Sequence, residues 1–111
     1  MRIIIGSDIV PTKTNLDLFS NGRTQDLIGK ELMNILESAD MRIFNLEAPL
    51  VDEQTPIEKF GPNLYAPKIT IKGIKGLDPT LLTLANNHIL DQGIKGLEST
   101  IKLLNENNIP Y

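Results

Sequence analysis

Hydrophobic residues arrive along this chain in short blocks, each with its own period. Arg2 to Ile5 is an apolar run closed by Gly6, which predicts a buried strand feeding a turn. Ser7 to Arg23 is rich in Ser, Asn, Thr, Pro and Gly and reads as loop. From Ile28, the apolar positions Leu32, Ile35, Leu36 and Ala39 follow at offsets of 4, 7, 8 and 11, the spacing of one helical face. Thr24 is placed to cap that helix, Asp26 suits its positive first turn, and Asp40 closes it. Met41 to Leu46 predicts a second buried strand, stopping at Glu47-Ala48-Pro49.

Leu50 to Ala66 has no periodicity and is long for a structureless connection inside a domain, which points to a functional loop. Pro67 opens a short helix over Lys68 to Lys75, with the Ile69-Thr70-Ile71 triplet keeping a strand open as the alternative. Leu81 to Leu84 predicts a third strand. Ile94, Leu97, Ile101 and Leu104 recur at offsets of 3, 7 and 10 and predict the last helix. Ile109-Pro110-Tyr111 reads as the opening of a fourth strand. Strands alternating with helices imply parallel pairing and right-handed crossovers, so the fold class is α/β built from βαβ units. A parallel sheet needs cover on both faces and protection at its edges. Residues 1–111 are therefore expected to be part of a larger domain whose carboxy-terminal half is missing.

Composition narrows the function classes. With 111 residues, 41% hydrophobic and 23% charged, the chain fits one small globular domain. A net charge of −3 argues against nucleic acid as a partner, since phosphate contacts need an excess of Lys and Arg. The absence of cysteine excludes disulfides, thiolate metal ligation and a cysteine nucleophile. No apolar run approaches the roughly 18 residues of a membrane span, and the start is too short for a signal-peptide core, so location stays open between a cytoplasmic default and association with the cell envelope.

Polar residues gather where the predicted strands end: Ser7-Asp8 after the first, Asn45 and Glu47 at the second, Asn86-Asn87-His88 and Asp91 after the third. Parallel strands bring these groups to one edge, outside the strand carboxyl ends, where ligands of open α/β sheets bind. Carboxylates, an amide oxygen and an imidazole together suit a divalent metal, and such ions stabilise charge in phosphoester hydrolysis. Each residue also has a plainer role. Asp8 and the Asn86-Asn87 pair serve equally as turn formers, and Glu47 as a solvated strand end. His88, the sole histidine, reads alone as a helix-cap or surface residue. Asp91 either orients that imidazole or, as the commoner role at this position, caps the last helix. In the long loop, Lys59-Phe60-Gly61-Pro62 is either a solvated lysine beside a turn or a cation brought to an anionic substrate. Asp52-Glu53 is a solvated acidic corner.

The stretch from Ala39 to Leu50, with Asn45-Leu46-Glu47-Ala48-Pro49-Leu50 at its end, resembles the "AD…NLE.PL" segment of the bacterial capsule synthesis proteins, the CapA-type family linked to poly-gamma-glutamate. Leu84-Ala85-Asn86-Asn87-His88-Ile89-Leu90-Asp91-Gln92-Gly93 is similar to the family's "LANNH..D.G" motif. Lys59-Phe60-Gly61-Pro62 with Ala66-Pro67 resembles its intervening "K.GP…AP" loop, and Gly6-Ser7-Asp8 matches the first motif more loosely. The resemblance implies the amino-terminal part of a calcineurin-like metallophosphoesterase fold, a β-sandwich flanked by helices. It also implies two divalent ions in the complete domain, with Mn, Fe, Zn and Mg all open. By that pattern Asp8, Glu47 and Asn87 are metal ligands, Glu47 in the bridging place. His88 protonates the leaving group or steadies the transition state with Asp91 beside it, and Asn45, Lys59, Gly61 and Asn86 contact substrate. Val10 stands where the wider superfamily's Asp-x-His motif has a histidine, and no second histidine is present.

The expected function is thus that of the amino-terminal portion of a metal-dependent, phosphoesterase-like hydrolase of capsule or poly-gamma-glutamate synthesis, with this chain alone expected to be inactive. The alternative is a non-catalytic, polymer-binding accessory protein of cell-surface assembly. The partners expected are an anionic polymer or phosphoester, the remainder of the chain's own domain, and a second copy through edge-strand pairing.

Overall fold

A computed structural model describes residues 1–111. Three parallel strands, β1 (Ile3–Ile9), β2 (Met41–Leu46) and β3 (Leu81–Thr83), form one sheet in the order β1-β2-β3. Between β1 and β2 lie three short helices, α1 (Leu16–Ser20), α2 (Thr24–Ile28) and α3 (Lys30–Glu37). The long loop and a 3₁₀ turn (Lys68–Thr70) lead into α4 (Ile71–Gly76), and α5 (Gly93–Glu106) follows β3. The α/β class and the parallel pairing stand as the sequence predicts.

One face of the sheet is packed. Phe44, Leu46 and Leu82 join Leu36 of α3, Phe19 of α1, Ile71 and Ile74 of α4 and Leu104 of α5 in the core. The alternate residues face away from it, and Ile3 and Ile5 are 47% and 77% exposed. The expectation of a buried first strand is corrected here. β1 is an edge strand paired only to β2, so neither its outer edge nor its second face is covered.

β1 also runs past Gly6, and the way it does so places a functional residue. Ile5 pairs with Ile43 but Asp8 with Asn45, so three residues of β1 span two of β2, a β-bulge. The extra residue shifts the alternation. Asp8 stays on the open face beside Asn45 and Thr83, and Ile9 turns into the core. Gly6 permits this, because a Cβ there would collide with the Phe44 ring.

Three further expectations are revised. The segment read as loop contains α1. The single helix expected from Thr24 to Ala39 is broken at Gly29, whose φ of +85° is left-handed. Leu32 and Ile35, placed by the unbroken pattern on the buried face, are exposed as a result. Thr24 does not cap; its buried hydroxyl donates to the Gly73 carbonyl at 3.0 Å. At the carboxyl end, Ile109 is buried and Leu82 N–H reaches the Pro110 carbonyl at 2.9 Å, a backbone contact beside β3 where the opening of a fourth strand is expected.

Gly73 is where α1 and α4 meet. A Cβ there would lie 2.6 Å from Phe19 Cα, a backbone atom that cannot step aside. Gly73→Ala is therefore expected to destabilise the fold by about 1–3 kcal/mol through overpacking, measured by urea unfolding. The long loop is held at its base. Leu50 and Ala66 form a bridge, and Thr100 of α5, fully buried, accepts Leu50 N–H at 2.9 Å. No helix is long and apolar enough to cross a membrane.

Candidate active site

The carboxyl ends of the three strands are tied into one polar rim. Asn45 at the end of β2 donates from Nδ2 to Asp8 Oδ1 at 2.8 Å. Its Oδ1 accepts from Thr83 Oγ1 and from Asn86 Nδ2, both at 3.1 Å. Asn86 Nδ2 also reaches the Leu46 carbonyl at 2.9 Å, so the segment after β3 is fastened to the end of β2. Asn86 Oδ1 then accepts the backbone N–H groups of His88 and Ile89, each at 2.9 Å, which sets the turn that carries the histidine. Glu47 N–H reaches the Ile9 carbonyl at 3.2 Å, placing that residue beside the end of β1. The side chains of Glu47 and Asn87 make no hydrogen bond or ion pair within the chain.

Beyond the rim, Asp91 is a buried hub whose side chain is only 1% exposed. Its Oδ1 accepts from Lys59 Nζ at 2.6 Å. Its Oδ2 accepts from Leu64 N–H and from His88 Nδ1, both at 2.6 Å. Burial by itself pushes the Asp91 carboxyl up. The hydrogen bonds from Lys59, Leu64 and His88 and the nearby imidazole outweigh it and hold the group below the usual aspartate value. An ionised carboxylate only accepts, so the hydrogen in the His88 contact belongs to Nδ1 and Nε2 is the free ring nitrogen. The histidine side chain is 15% exposed.

The long loop is laid over the start of α5 by the same group of residues. Gln92, 1% exposed, accepts Thr55 N–H at Oε1 (2.8 Å) and donates from Nε2 to the Leu64 carbonyl (3.2 Å). Thr55 Oγ1 donates to the Gln92 carbonyl at 2.6 Å, and Ile57 N–H to the Asp91 carbonyl at 3.0 Å.

The structure thus brings Asp8, Asn45, Glu47, Asn86 and His88 to one edge, as the strand-end pattern predicts. Asp91 does not cap α5, whose first turn carries no side-chain cap; it orients the imidazole. Lys59 is paired with Asp91, with its side chain 20% exposed. The polar atoms of Asn45 and Asn86 are engaged with the protein. Gly61 lies at an exposed loop position with φ +86°. Gln92 and Thr83 escaped the sequence reading: their partners are distant in sequence, and nothing in Asp-Gln-Gly or Leu-Thr-Leu marks them.

Asp8, Glu47 and Asn87 are oxygen donors of the hard type that Mg²⁺ and Mn²⁺ accept. No three Asp, Glu or His side chains cluster as metal ligands, so these residues do not by themselves make up a metal site.

Against known proteins, the family model described as bacterial capsule synthesis protein PGA_cap matches residues 3–111. No curated protein matches the chain.

Proposed function

The chain belongs to the bacterial capsule synthesis protein family, and from that premise we propose that its strand-end rim is part of the active site of a metal-dependent hydrolase of phosphoester type. The observation that carries this reading is the buried Asp91 carboxylate aimed at His88 Nδ1, which leaves Nε2 without a partner inside the chain. A carboxylate–imidazole pair of this kind fixes the tautomer and orientation of a proton-transfer group.

In this reading Asp8, Glu47 and Asn87 hold the divalent cation together with ligands from outside this set. When bound, the cation supplies Lewis-acid polarisation and charge stabilisation at the phosphoryl group. The chain's own residues do the rest. As water forms the new bond to phosphorus and the ester P–O bond breaks, His88, protonated at Nε2, gives its proton to the departing oxygen. Asp91 keeps the ring in place and stabilises the imidazolium before transfer. Asn45 positions the Asp8 carboxylate and Asn86 positions the turn bearing His88.

A second reading, polymer binding without turnover in cell-surface assembly, is favoured by one observation: Val10 occupies the place of the superfamily's first-motif histidine. One assay separates the two. The full-length protein is incubated with Mn²⁺ and a chromogenic phosphodiester, and in parallel with poly-gamma-glutamate. Metal-dependent release of chromophore supports the hydrolase. Saturable polymer binding with no release in any divalent ion supports the accessory role and overturns the hydrolytic one.

A further inference from the structure

The sequence offers Lys59 as a cation for substrate, but the structure gives its ammonium to Asp91. We propose that Lys59 is a positioning residue for His88, acting through Asp91, so that the seating of the long loop sets which nitrogen of the imidazole is free. The inference rests on the hydrolytic reading of His88 for its functional meaning, but its geometry is independent of that reading.

Three donors meet two oxygens at Asp91. Lys59 Nζ occupies Oδ1 at 2.6 Å, and Leu64 N–H shares Oδ2 with His88 Nδ1. A carboxylate can rotate about its Cβ–Cγ bond, and with both loop donors in place it has one orientation in which every contact is made. Removing Lys59 leaves Oδ1 buried and unpaired, which is costly at a site 1% exposed. The carboxylate then turns to share its remaining donors, and the His88 Nδ1 contact lengthens. Lys59 is itself only 20% exposed, so the contact belongs to the packed interior of the loop and is shielded from solvent competition. The arrangement also joins two segments that the sequence separates by 32 residues, the loop and the turn after β3. Loop seating and histidine orientation are therefore one event.

His88 is the only histidine, so its ring nitrogens can be read without assignment ambiguity. Ring ¹⁵N shifts are measured at a fixed pH, at which the ring is neutral, in the wild-type, Lys59→Met and Lys59→Arg chains. The expected wild-type result is the Nδ1–H form. Lys59→Met is expected to shift the ratio of Nδ1–H to Nε2–H by about tenfold toward Nε2–H, the equivalent of about 1.4 kcal/mol. Lys59→Arg keeps a cation on Oδ1 and restores most of the wild-type ratio. The anchors at Thr55, Ile57 and Leu64 remain in Lys59→Met, so the fold is retained; if amide spectra show it unfolded, Lys59→Gln, which keeps a donor, is read in its place with the same expectation at smaller size. A wild-type ratio in the neutral variant, or a loss in Lys59→Arg as large as in Lys59→Met, overturns the inference. Failure of the hydrolytic reading would show instead as absent turnover with the tautomer shift intact.

Discussion

In the full-length protein, replacing His88 by alanine is expected to lower metal-dependent phosphodiester turnover by about 10²–10⁴-fold, the usual contribution of a positioned proton-transfer group. The size follows from the geometry of the ring. Nδ1 is committed to Asp91 at 2.6 Å, so only Nε2 is available to a ligand, and the chain has no other histidine to take over its role. The loss falls on kcat, because the group acts when the leaving oxygen departs. An alcohol or thiol leaving group of low pKa needs little protonation, so a substrate with an activated leaving group should lose less than one with an alkyl leaving group. Equal activity of His88→Ala and wild type on both substrates would remove His88 from the mechanism. The variant is expected to fold, since the turn is set by Asn86 through the backbone N–H groups of residues 88 and 89.

Asp91→Asn is expected to destabilise the chain by about 3 kcal/mol, at the lower end of what breaking a buried ion pair costs because Lys59 retains some exposure. In a domain of this size that is a fall in Tm of roughly 10–15 °C. The amide can still accept at one atom, but its NH₂ faces a donor, and the Lys59 ammonium is left in a low-dielectric site without its counter-charge. The pH dependence gives the same account a sign. The folded state holds Asp91 below its ordinary value, so its contribution is fully present above the unfolded aspartate value, about 4. It is lost as pH falls through the lower, folded value. Wild type and Asp91→Asn should therefore differ most at neutral pH and converge in acid below about pH 4, measured by denaturant unfolding across that range. A gap that widened on acidification would contradict the ion-pair reading.

The sequence makes some of this legible and hides the rest for identifiable reasons. Met41 to Leu46 is read with its true bounds, because an apolar run between Asp40 and Glu47-Ala48-Pro49 has clear edges. The last helix is equally plain from its 3-4 spacing and runs over Gly93–Glu106. Gly29 misleads in the opposite way. The apolar residues on either side keep a helical period across it, so the break shows only in the glycine itself, a residue free to take the positive φ, with extended ψ, found there. The bulge in β1 is invisible in an apolar run with a glycine in it, yet it decides that Asp8 faces the rim. The strand-end polar groups are legible as a set because parallel topology puts strand ends together. The hub at Asp91 is not, since Lys59, Leu64 and His88 reach it from separate segments, and an aspartate before a helix looks locally like a cap.

The most direct test of the central claim, that the strand-end rim is a metal-dependent hydrolytic site, is a calorimetric Mn²⁺ titration of the full-length protein and of its Glu47→Ala variant. Glu47 carries a carboxylate with no partner inside the protein, so its loss removes a ligand without breaking the rim that Asn45 and Asn86 hold together. The expected result is saturable Mn²⁺ binding in the wild type that is weakened at least about tenfold in Glu47→Ala, with unchanged thermal stability in the absence of metal. Identical titrations for the two proteins, whether both bind or neither does, would contradict the assignment of the rim as the metal site.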